Sequence, residues 1–570
     1  MVPVDAAPRR TMLLLAAVAL VAILPGLGRV SLFEPDEPRF AEATRLMLER
    51  GDFLTPWFNG RPRFEKPILF YWMQAPFYAV LGPTELAARA PAAVCGVLIV
   101  LLLYDLGRRA LGPRAGFLGA LVLASSFRFV TYARQGLTDV PVLLLEMIAL
   151  WGFWRALDDG PDARAARRHA GWAWAAIGAA ALTKGPVAAL PLLIWAAFLL
   201  VTRRPGALRA MRWWPGVAIA AAIAAPWYLY MAAAHGAAYL SHGVGYELVR
   251  RYADPRFPGP QRGWLYYMGV WPGDAAPWTI FFLAALAWVA RQWRRLPPAH
   301  RTALVFCATW FVVVLGLFSS ASGKLPHYLL PLYPPLALVV GYYADRASRS
   351  GGTGAETAAL GELAPPRIGW SLAAWITILA LLVAAAIVAL FLVRVAGAPP
   401  VSLAMLLPAV LAAGAGLAAV AEWRGARHAT LGALAGALVA AYAVLGAHIA
   451  PTYLQDMQPI RPIGRAVAAT AGPGEPVAHY GSYGGPGLVF YSRHLIEFPG
   501  SPAATGEFLR GPGRRFLVIS AGDLEGLKPY YDGPIHVLAR QDVLVVRIKR
   551  VMEGRRPDPR RVLLLVSNQP

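Results

Sequence analysis

Apolar runs of membrane-spanning length recur along this chain, separated by short polar segments. A helix that crosses a bilayer needs about 20 mostly apolar residues. The pattern predicts a polytopic α-helical membrane protein with about thirteen spans: residues 11–29, 86–107, 114–132, 137–156, 171–183, 186–202, 212–233, 275–292, 301–320, 326–344, 369–394, 401–420 and 428–449. The short segment 171–183 leaves one alternative, in which Lys184-Gly185-Pro186 marks a kink in a single long helix.

The distribution of arginine favours two spans in this region and predicts the orientation. With thirteen spans and a cytoplasmic N-terminus, the inner loops hold 22 arginines, whereas the short outer loops hold only Arg134, Lys184, Lys324 and Arg394. Cytoplasmic loops carry such an excess of positive charge. Merging the two segments would invert every later loop. The N-terminus is therefore expected in the cytoplasm, and two long loops, 30–85 and 234–274, are expected outside, where their aromatic and amphipathic stretches suit the membrane interface.

The composition changes after Ala450, where membrane-spanning runs end. Short β-like runs follow, separated by Gly- and Pro-containing turns, at residues 476–480, 487–491, 515–519, 535–538 and 543–548. Runs of this kind are typical of strands in a small soluble domain. We therefore predict a transmembrane domain over residues 1–450 and a soluble α/β domain over residues 451–570, on the outer side.

Composition and charge exclude several classes of protein. The chain is 57% hydrophobic and only 15% charged, against about 25% charged residues in an ordinary soluble domain. A net charge of +22 would suit a nucleic-acid-binding protein, but most arginines lie in short clusters between spans, so no nucleic-acid partner is expected. Cys95 and Cys307 both lie inside predicted spans, and they indicate neither a disulfide framework nor a cysteine metal site.

Charged residues in unexpected places all fall at the predicted outer face. Ionisable side chains at membrane depth usually pair or line a functional cavity, although a single lysine there more often reaches up to interfacial water. Seven such residues from five segments favour one shared site: Asp36, Glu65, Lys66, Arg134, Asp139, Lys184 and Lys324. Cations suit a phosphate and a carboxylate suits a general base. This mixture fits the transfer of a group from a lipid phosphate carrier.

A set of motifs, in order along residues 30–345, resembles a known family. DEPRFAE (36–42) is similar to the D-E-x-R-Y/F-A-E motif of the aminoarabinose transferase-like glycosyltransferases, and FEKP (64–67) before Tyr71-Trp72 is similar to their F-E-K-P-x-x-x-Y-W. Ala133-Arg134 with Thr138-Asp139, LTKGP (182–186) and SGKLPHYLLP (322–331) resemble the remaining elements. The family belongs to the membrane-embedded GT-C superfamily, which includes the protein O-mannosyltransferases.

The resemblance implies a glycosyltransferase of the bacterial inner membrane. It would use a polyprenyl-phosphate-linked sugar as donor and an acceptor approached from the periplasm, and a single displacement would invert the anomeric carbon. Asp36, with Glu37 beside it, would be catalytic. The donor phosphate would be bound by Lys66, Arg134, Lys184, Lys324, Tyr328 and Arg251, and the site would be completed by Arg39, Glu65, Asp139 and Tyr71.

The sequence departs from the family's pattern at a metal-binding position. Members that bind a divalent metal pair the glutamate of F-E-K-P with a histidine in the second long outer loop. Here that stretch reads QRGWLYY (261–267) and has no histidine; His235 and His242 lie earlier in the loop. Glu65 is the only candidate ligand, and no cofactor is firmly expected.

Two other functions remain open at this point. A transporter or flippase of lipid-linked sugars would carry polar residues near the middle of several spans, often in inverted repeats. An inactive scaffold for envelope assembly is the second alternative. The acceptor, whether lipid A, another glycan or a protein, is not selected by the sequence, and neither is the sugar.

Overall fold

A computed structural model describes residues 8–160, 163–204, 208–243, 262–349, 367–394, 402–454, 459–481, 484–543 and 561–570. As far as Leu454 the described chain is almost entirely helical. Its helices are α1 (Pro8–Ile23), α2 (Asp36–Arg50), α3 (Leu69–Leu81), α4 (Glu85–Ala110), α5 (Pro113–Ala124), α6 (Phe127–Ala133), α7 (Asp139–Asp159), α8 (Arg164–Lys184), α9 (Leu190–Thr202), α10 (Leu208–Met211), α11 (Trp213–Tyr239), α12 (Tyr266–Asp274), α13 (Trp278–Gln292), α14 (Pro298–Ser320), α15 (Tyr333–Arg349), α16 (Arg367–Arg394), α17 (Leu406–Trp423) and α18 (Arg427–Val444).

The described helices confirm a polytopic helical membrane protein. Within the described residues, eight helices are long and apolar enough to cross a membrane, or up to ten if each of two bent pairs counts as one span. The bent pairs are α5 with α6, at 66°, and α12 with the helix that follows it, at 108°. Every one of the thirteen predicted segments overlaps a helix, while the count of thirteen spans stays a prediction.

The chain reverses between α8 and α9, where the sequence allowed a kink. Helical residues continue without a break from Arg164 to Thr202. However, the ring of Phe153 lies 5.9 Å from that of Trp174 on α8 and 5.8 Å from that of Trp195 on α9. A continuous helix would place residues 174 and 195 about 30 Å apart, at 1.5 Å per residue. The two segments are therefore separate antiparallel helices, and Gly185, with φ of +61°, begins the turn between them.

The long loop before α4 folds into α2, a β-hairpin and α3. The hairpin strands are β1 (Trp57–Phe58) and β2 (Arg61–Pro62). Asn59 and Gly60 join them with φ of +49° and +76°, as a two-residue type I′ turn requires. The Asn59 side chain donates a hydrogen bond to the carbonyl of Ile496 and accepts one from its N–H, both at 2.8 Å. The hairpin is thus tied to the C-terminal part of the chain.

From Ile460 onwards the chain forms an α/β unit. Its sheet has five strands in the order β4-β3-β5-β7-β6, with β3 parallel to β4 and β5, and β7 antiparallel to β5 and β6. The elements are α19 (Ile460–Thr470), β3 (Val477–Tyr480), α20 (Gly485–Ser492), β4 (Ile496–Glu497), α21 (Pro502–Arg510), β5 (Phe516–Ser520), α22 (Ala521–Glu525), β6 (His536–Val543) and β7 (Arg561–Ser567). The helical segment Leu445–Leu454 crosses the predicted domain boundary.

The strand predicted at residues 487–491 is wrong, because this stretch is helix α20. Its side chains are buried on all sides, and a short apolar run cannot be assigned to strand or helix by periodicity alone. The predicted strands at 476–480 and 515–519 match β3 and β5, and part of the run at 543–548 lies outside the described residues. One face of the sheet shares a hydrophobic core with the ends of α2, α3 and α4, through Ala41, Tyr78 and Ala87. The C-terminal domain therefore sits on the same side of the bundle as Asp36.

Candidate active site

A cavity of about 710 Å³ opens where α2, the segment after the hairpin, α7, the turn after α8 and the segment before α15 meet. We call it the inner cavity. Seven of the predicted site residues line it: Asp36, Arg39, Glu65, Lys66, Asp139, Lys184 and Tyr328. Its wall toward the bundle is apolar, with Leu193, Leu317 and Phe318. The structure thus brings together residues that are nearly 300 positions apart in the sequence.

Asp36 presents a largely exposed carboxylate to the inner cavity. It is the first residue of α2, and its side chain is 56% exposed. Its ionic partner is Arg39, one turn later, at 3.8 Å. A carboxylate at the start of a helix is stabilised by the helix dipole, and a long, exposed ion pair does little to hold it. The Asp36 side chain can therefore turn toward a ligand.

Two lysines, a histidine and one carboxylate also line the inner cavity. Lys184 Nζ is 2.7 Å from Asp139 Oδ1, and His327 Nε2 is 3.8 Å from the same oxygen. Lys184 also lies 5.5 Å from the ring centre of Tyr328. Lys66 lines the same cavity. Ammonium groups of lysine suit a phosphate, so this cluster fits an anionic ligand.

Glu37 does not line the inner cavity, although it follows Asp36. Its side chain is 1% exposed and forms an ion pair with Arg89 at 2.7 Å. The same carboxylate accepts hydrogen bonds from the N–H groups of Phe33, at 2.7 Å, and Gly136, at 2.5 Å. Because every contact of Glu37 is internal, its geometry fits a residue that holds the start of α2 in place. A catalytic role for it does not fit this placement.

Arg134 and Lys324 also lie outside the cavity lining. Arg134 donates to the carbonyls of Ile23, at 2.7 Å, and Pro25, at 2.6 Å, at the end of α1. These carbonyls have no partner within the helix, so the guanidinium closes the helix end. Lys324 is buried and its Nζ donates to the carbonyl of Ala321 at 2.5 Å. The predicted phosphate contacts of both residues do not fit these placements.

Two predicted site residues remain, Tyr71 and Arg251, and only Tyr71 lies within the described residues. Tyr71 is fully buried on α3, against the ring of Phe40 at 5.5 Å, and burial raises the pKa of its hydroxyl to about 12. Tyr71 is therefore a neutral packing residue behind the cavity wall. Arg251, like Arg250, lies outside the described residues.

Comparisons with known proteins show what this chain is similar to. A family model described as dolichyl-phosphate-mannose-protein mannosyltransferase matches residues 65–230. The undecaprenyl phosphate-α-4-amino-4-deoxy-L-arabinose arabinosyl transferase of Pseudomonas aeruginosa PAO1 is 33% identical over 349 residues, which are 60% of each chain. The crystal structure of ArnT from Cupriavidus metallidurans bound to undecaprenyl phosphate has a TM-score of 0.76 at 24% identity, covering 98% of this chain and 97% of that one.

The predicted resemblance to the aminoarabinose transferase-like family is therefore confirmed. The fold is shared with a more distant structure as well. The oligosaccharyltransferase of Archaeoglobus fulgidus has a TM-score of 0.52 at 11% identity, covering 93% of this chain and 72% of that one. Sequence similarity to the curated aminoarabinose transferases spans about 60% of their length.

Three polar residues of the inner cavity were not predicted from the sequence: His327, Glu146 and Arg63. His327 stands inside the quoted SGKLPHYLLP motif, yet nothing in the motif distinguishes it from its neighbours. Glu146 lies seven residues after Asp139, which is two helical turns on the same face of α7; a carboxylate in so apolar a run was a usable signal. Arg63 stands just before FEKP, in a loop that is rich in charge, where nothing marks one arginine out.

Glu65, the one candidate metal ligand, is paired with a cation among the described residues. Glu65 Oε2 faces the Nε of Arg63 at 3.3 Å. Within the described residues, no three His, Cys, Asp or Glu side chains converge as a metal site requires. No step of the reaction is therefore derived through a metal.

Proposed function

We propose that this protein is an integral-membrane glycosyltransferase. It transfers a sugar from a polyprenyl-phosphate carrier to an acceptor on the periplasmic side of the bacterial inner membrane. The observation that carries the proposal is the composition of the inner cavity, which is lined by the carboxylate of Asp36, by Lys66 and Lys184, and by apolar side chains. A lipid phosphate needs such a combination of cations and apolar surface. The same donor class is supported by two similar proteins, an undecaprenyl phosphate-aminoarabinose transferase and a structure bound to undecaprenyl phosphate.

The geometry supports a single displacement. The donor phosphate lies among Lys66, Lys184 and Tyr328, with its lipid along Leu193, Leu317 and Phe318. An acceptor oxygen attacks the anomeric carbon from the side of Asp36, and the bond between that carbon and the phosphate oxygen breaks. Negative charge grows on the departing phosphate, where the lysines stabilise it. Asp36 orients the acceptor and takes its proton if the acceptor is a hydroxyl group. The anomeric carbon is inverted.

The proposed orientation has thirteen spans, a cytoplasmic N-terminus and a periplasmic C-terminal domain. Two observations support it. The reversal between α8 and α9 agrees with two spans in residues 164–202, as the arginine distribution requires. The C-terminal domain also packs against α2 and the hairpin, on the side that holds the inner cavity. Lipid A, another glycan or a protein remains the acceptor.

A transfer assay in native-like membranes tests the proposal. We expect wild type to form a product from a polyprenyl-phosphate sugar, and Asp36→Asn to lose at least about 100-fold in rate, because a positioned base contributes about 10²–10⁴-fold. Lys66→Ala should also lose transfer. Lys528→Ala, an exposed lysine of the C-terminal domain, is the matched control.

Three outcomes would contradict the proposal. Undiminished transfer by Asp36→Asn would remove this residue from the reaction. No transfer by wild type with any donor and acceptor would refute the enzyme. Movement of labelled donor across the membrane without a covalent product would instead identify the transporter.

A further inference from the structure

Glu146 is a carboxyl group on the wall of the inner cavity without a partner of its own. It lies on α7 and lines the cavity, although its side chain is only 2% exposed. Both of its carboxyl oxygens are buried and have no hydrogen-bond partner among the described residues. Buried polar groups are nearly always hydrogen-bonded, and an ionisable side chain inside a membrane span is by default a sign of function. Glu146 therefore points to a ligand that supplies the hydrogen bond.

Helix α7 places Glu146 near the proposed position of the donor phosphate. Asp139, Val142 and Glu146 all line the cavity, and their spacing of three and four residues puts them on one face of the helix. Lys184, a proposed phosphate ligand, is bound to Asp139 at 2.7 Å. Seven residues of helix rise by about 10 Å. Glu146 is thus further from the outer face than Asp139, at a distance that one sugar ring and its substituents can bridge.

Of the three parts of the donor, the sugar is the one that can satisfy Glu146. A polyprenyl chain is hydrocarbon and forms no hydrogen bonds. The phosphate that joins it to the sugar offers acceptors and negative charge, which suit lysines rather than a carboxyl group. The sugar carries hydroxyl or amino groups, which donate hydrogen bonds. A carboxyl group accepts such bonds whether or not it is ionised.

A purely structural role toward Lys184 is a poorer match. The Nζ of Lys184 donates its hydrogen bond to Asp139, and no hydrogen bond joins it to Glu146 among the described residues. A positioning residue acts through such a bond. The cavity side of α7 therefore leaves Glu146 to a ligand.

We propose that Glu146 determines which donor sugar is bound, by accepting a hydrogen bond from a hydroxyl or amino group of that sugar. The sugar ring then lies beside α7, next to the phosphate. A sugar without this group would leave Glu146 buried and unpaired, and a site built to hydrogen-bond a substrate group strongly rejects analogues that lack it. This inference rests on the proposed glycosyltransferase function and assigns that function a specificity residue.

Binding of sugar-linked lipids to the full-length protein in nanodiscs tests this proposal. The probes are undecaprenyl phosphate alone and its conjugates with glucose, galactose, arabinose and 4-amino-4-deoxyarabinose. We expect wild type to bind at least one conjugate about 10-fold more tightly than undecaprenyl phosphate. Glu146→Leu should remove this advantage without weakening the binding of undecaprenyl phosphate. Its melting temperature should not fall, because leucine leaves no polar group unpaired at this position.

Glu146→Gln separates the two kinds of sugar group. A glutamine amide accepts and donates hydrogen bonds but carries no charge. It should therefore bind a hydroxylated sugar nearly as tightly as wild type does, whereas an amino sugar should bind as weakly as it does to Glu146→Leu. The matched control is Met147→Leu, which changes the next residue of α7, is packed in the bundle core and does not line the cavity. It should bind every probe as wild type does.

Three results would overturn the proposal: wild type binding no conjugate more tightly than undecaprenyl phosphate, Glu146→Leu keeping the wild-type preference among the conjugates, or Glu146→Leu weakening undecaprenyl phosphate as much as the conjugates. Sugar-dependent binding that needs Glu146, without any transferred product, would refute the proposed function instead. Transfer with a donor KM unchanged in Glu146→Leu would refute only the role of Glu146.

Discussion

Asp36 and Glu37 are neighbours in the chain, yet the carboxylate of Asp36 is exposed in a cavity and that of Glu37 is buried in an ion pair. Around Glu37 lies an anchor region in which Arg89 donates to both oxygens of Glu37 and to the carbonyls of Leu27, Val30 and Ser31. In the inner cavity, the one ion pair of Asp36 among the described residues is the 3.8 Å contact with Arg39, and its side chain is 56% exposed. The difference shows that the pairing of a charge, more than its presence in a motif, separates a structural role from a role toward a ligand.

The largest expected effect comes from breaking the anchor region. Arg89→Leu leaves Glu37 buried without its cation, and removing one partner of a buried ion pair costs about 3–5 kcal/mol. Thermal unfolding in detergent should show a large loss of stability, together with a loss of transfer because α2 is no longer held. Combining Arg89→Leu with Glu37→Leu should recover part of the stability. A melting temperature equal to that of wild type would show that the pair is not an anchor.

Lys184→Met tests a charge that is paired inside the protein and also available to a ligand. Lys184 pairs with Asp139 but also lines the inner cavity. We expect the free energy of unfolding to fall by about 2 kcal/mol, which is less than for a fully buried ion pair because water in the cavity reaches this one. We also expect a raised KM for the donor. Adding Asp139→Asn should restore stability but not the donor KM. If the double variant recovers both, Lys184 acts only through Asp139.

The buried carboxylate of Glu34 should make the stability of the protein depend on pH. Its Oε1 accepts the N–H of Gly487 at 2.6 Å, near the start of α20, and this approach leaves no room for a Cβ on Gly487. Burial raises the pKa of Glu34 from 4.5 to about 7, against the opposing effects of the Gly487 N–H and Arg39, while Asp36 also raises it. Because the folded state then holds the proton more tightly than the unfolded state, stability from Glu34 is present at low pH and falls as pH rises through about 7.

Glu34→Gln should remove this dependence. The melting temperature of wild type, measured against that of Glu34→Gln, should decline between pH 5 and pH 8. Glu525→Gln, which changes an exposed carboxylate paired with Lys528, serves as the control and should follow wild type. Parallel pH profiles of wild type and Glu34→Gln would mean that this carboxylate does not titrate in the folded protein.

The smallest effect is expected from Arg39→Ala. Arg39 and Asp36 are 40% and 56% exposed, and they are 3.8 Å apart. Exposed pairs of this kind contribute about 0–1 kcal/mol, so the melting temperature should stay close to that of wild type. A fall in melting temperature as large as that of Arg89→Leu would contradict the difference between the anchor region and the inner cavity.

The sequence motifs predicted much of the inner cavity. Asp36, Lys66 and Lys184 were expected to meet because each lies at the predicted outer face, where a charged residue needs a partner or water. Tyr328 was expected there from the family resemblance. Spacing alone did not separate Asp36 from Glu37. A helix turns by about 100° per residue, so neighbours on α2 point in different directions, and only the position of Arg89 decides which one is buried.

The sequence by itself determined the membrane-spanning architecture, the family resemblance and the face of the bundle on which the charges gather. These features depend on local hydrophobicity and on residues close together in the chain. The tertiary structure alone decided that Arg134 closes the end of α1, that the run at 487–491 is a helix, and that Arg63 lies over the ring of Phe40 beside the inner cavity. Each of these depends on a partner far away in sequence, such as Pro25, Glu34 or Phe40, and a side chain takes its role from the partner that the fold places beside it.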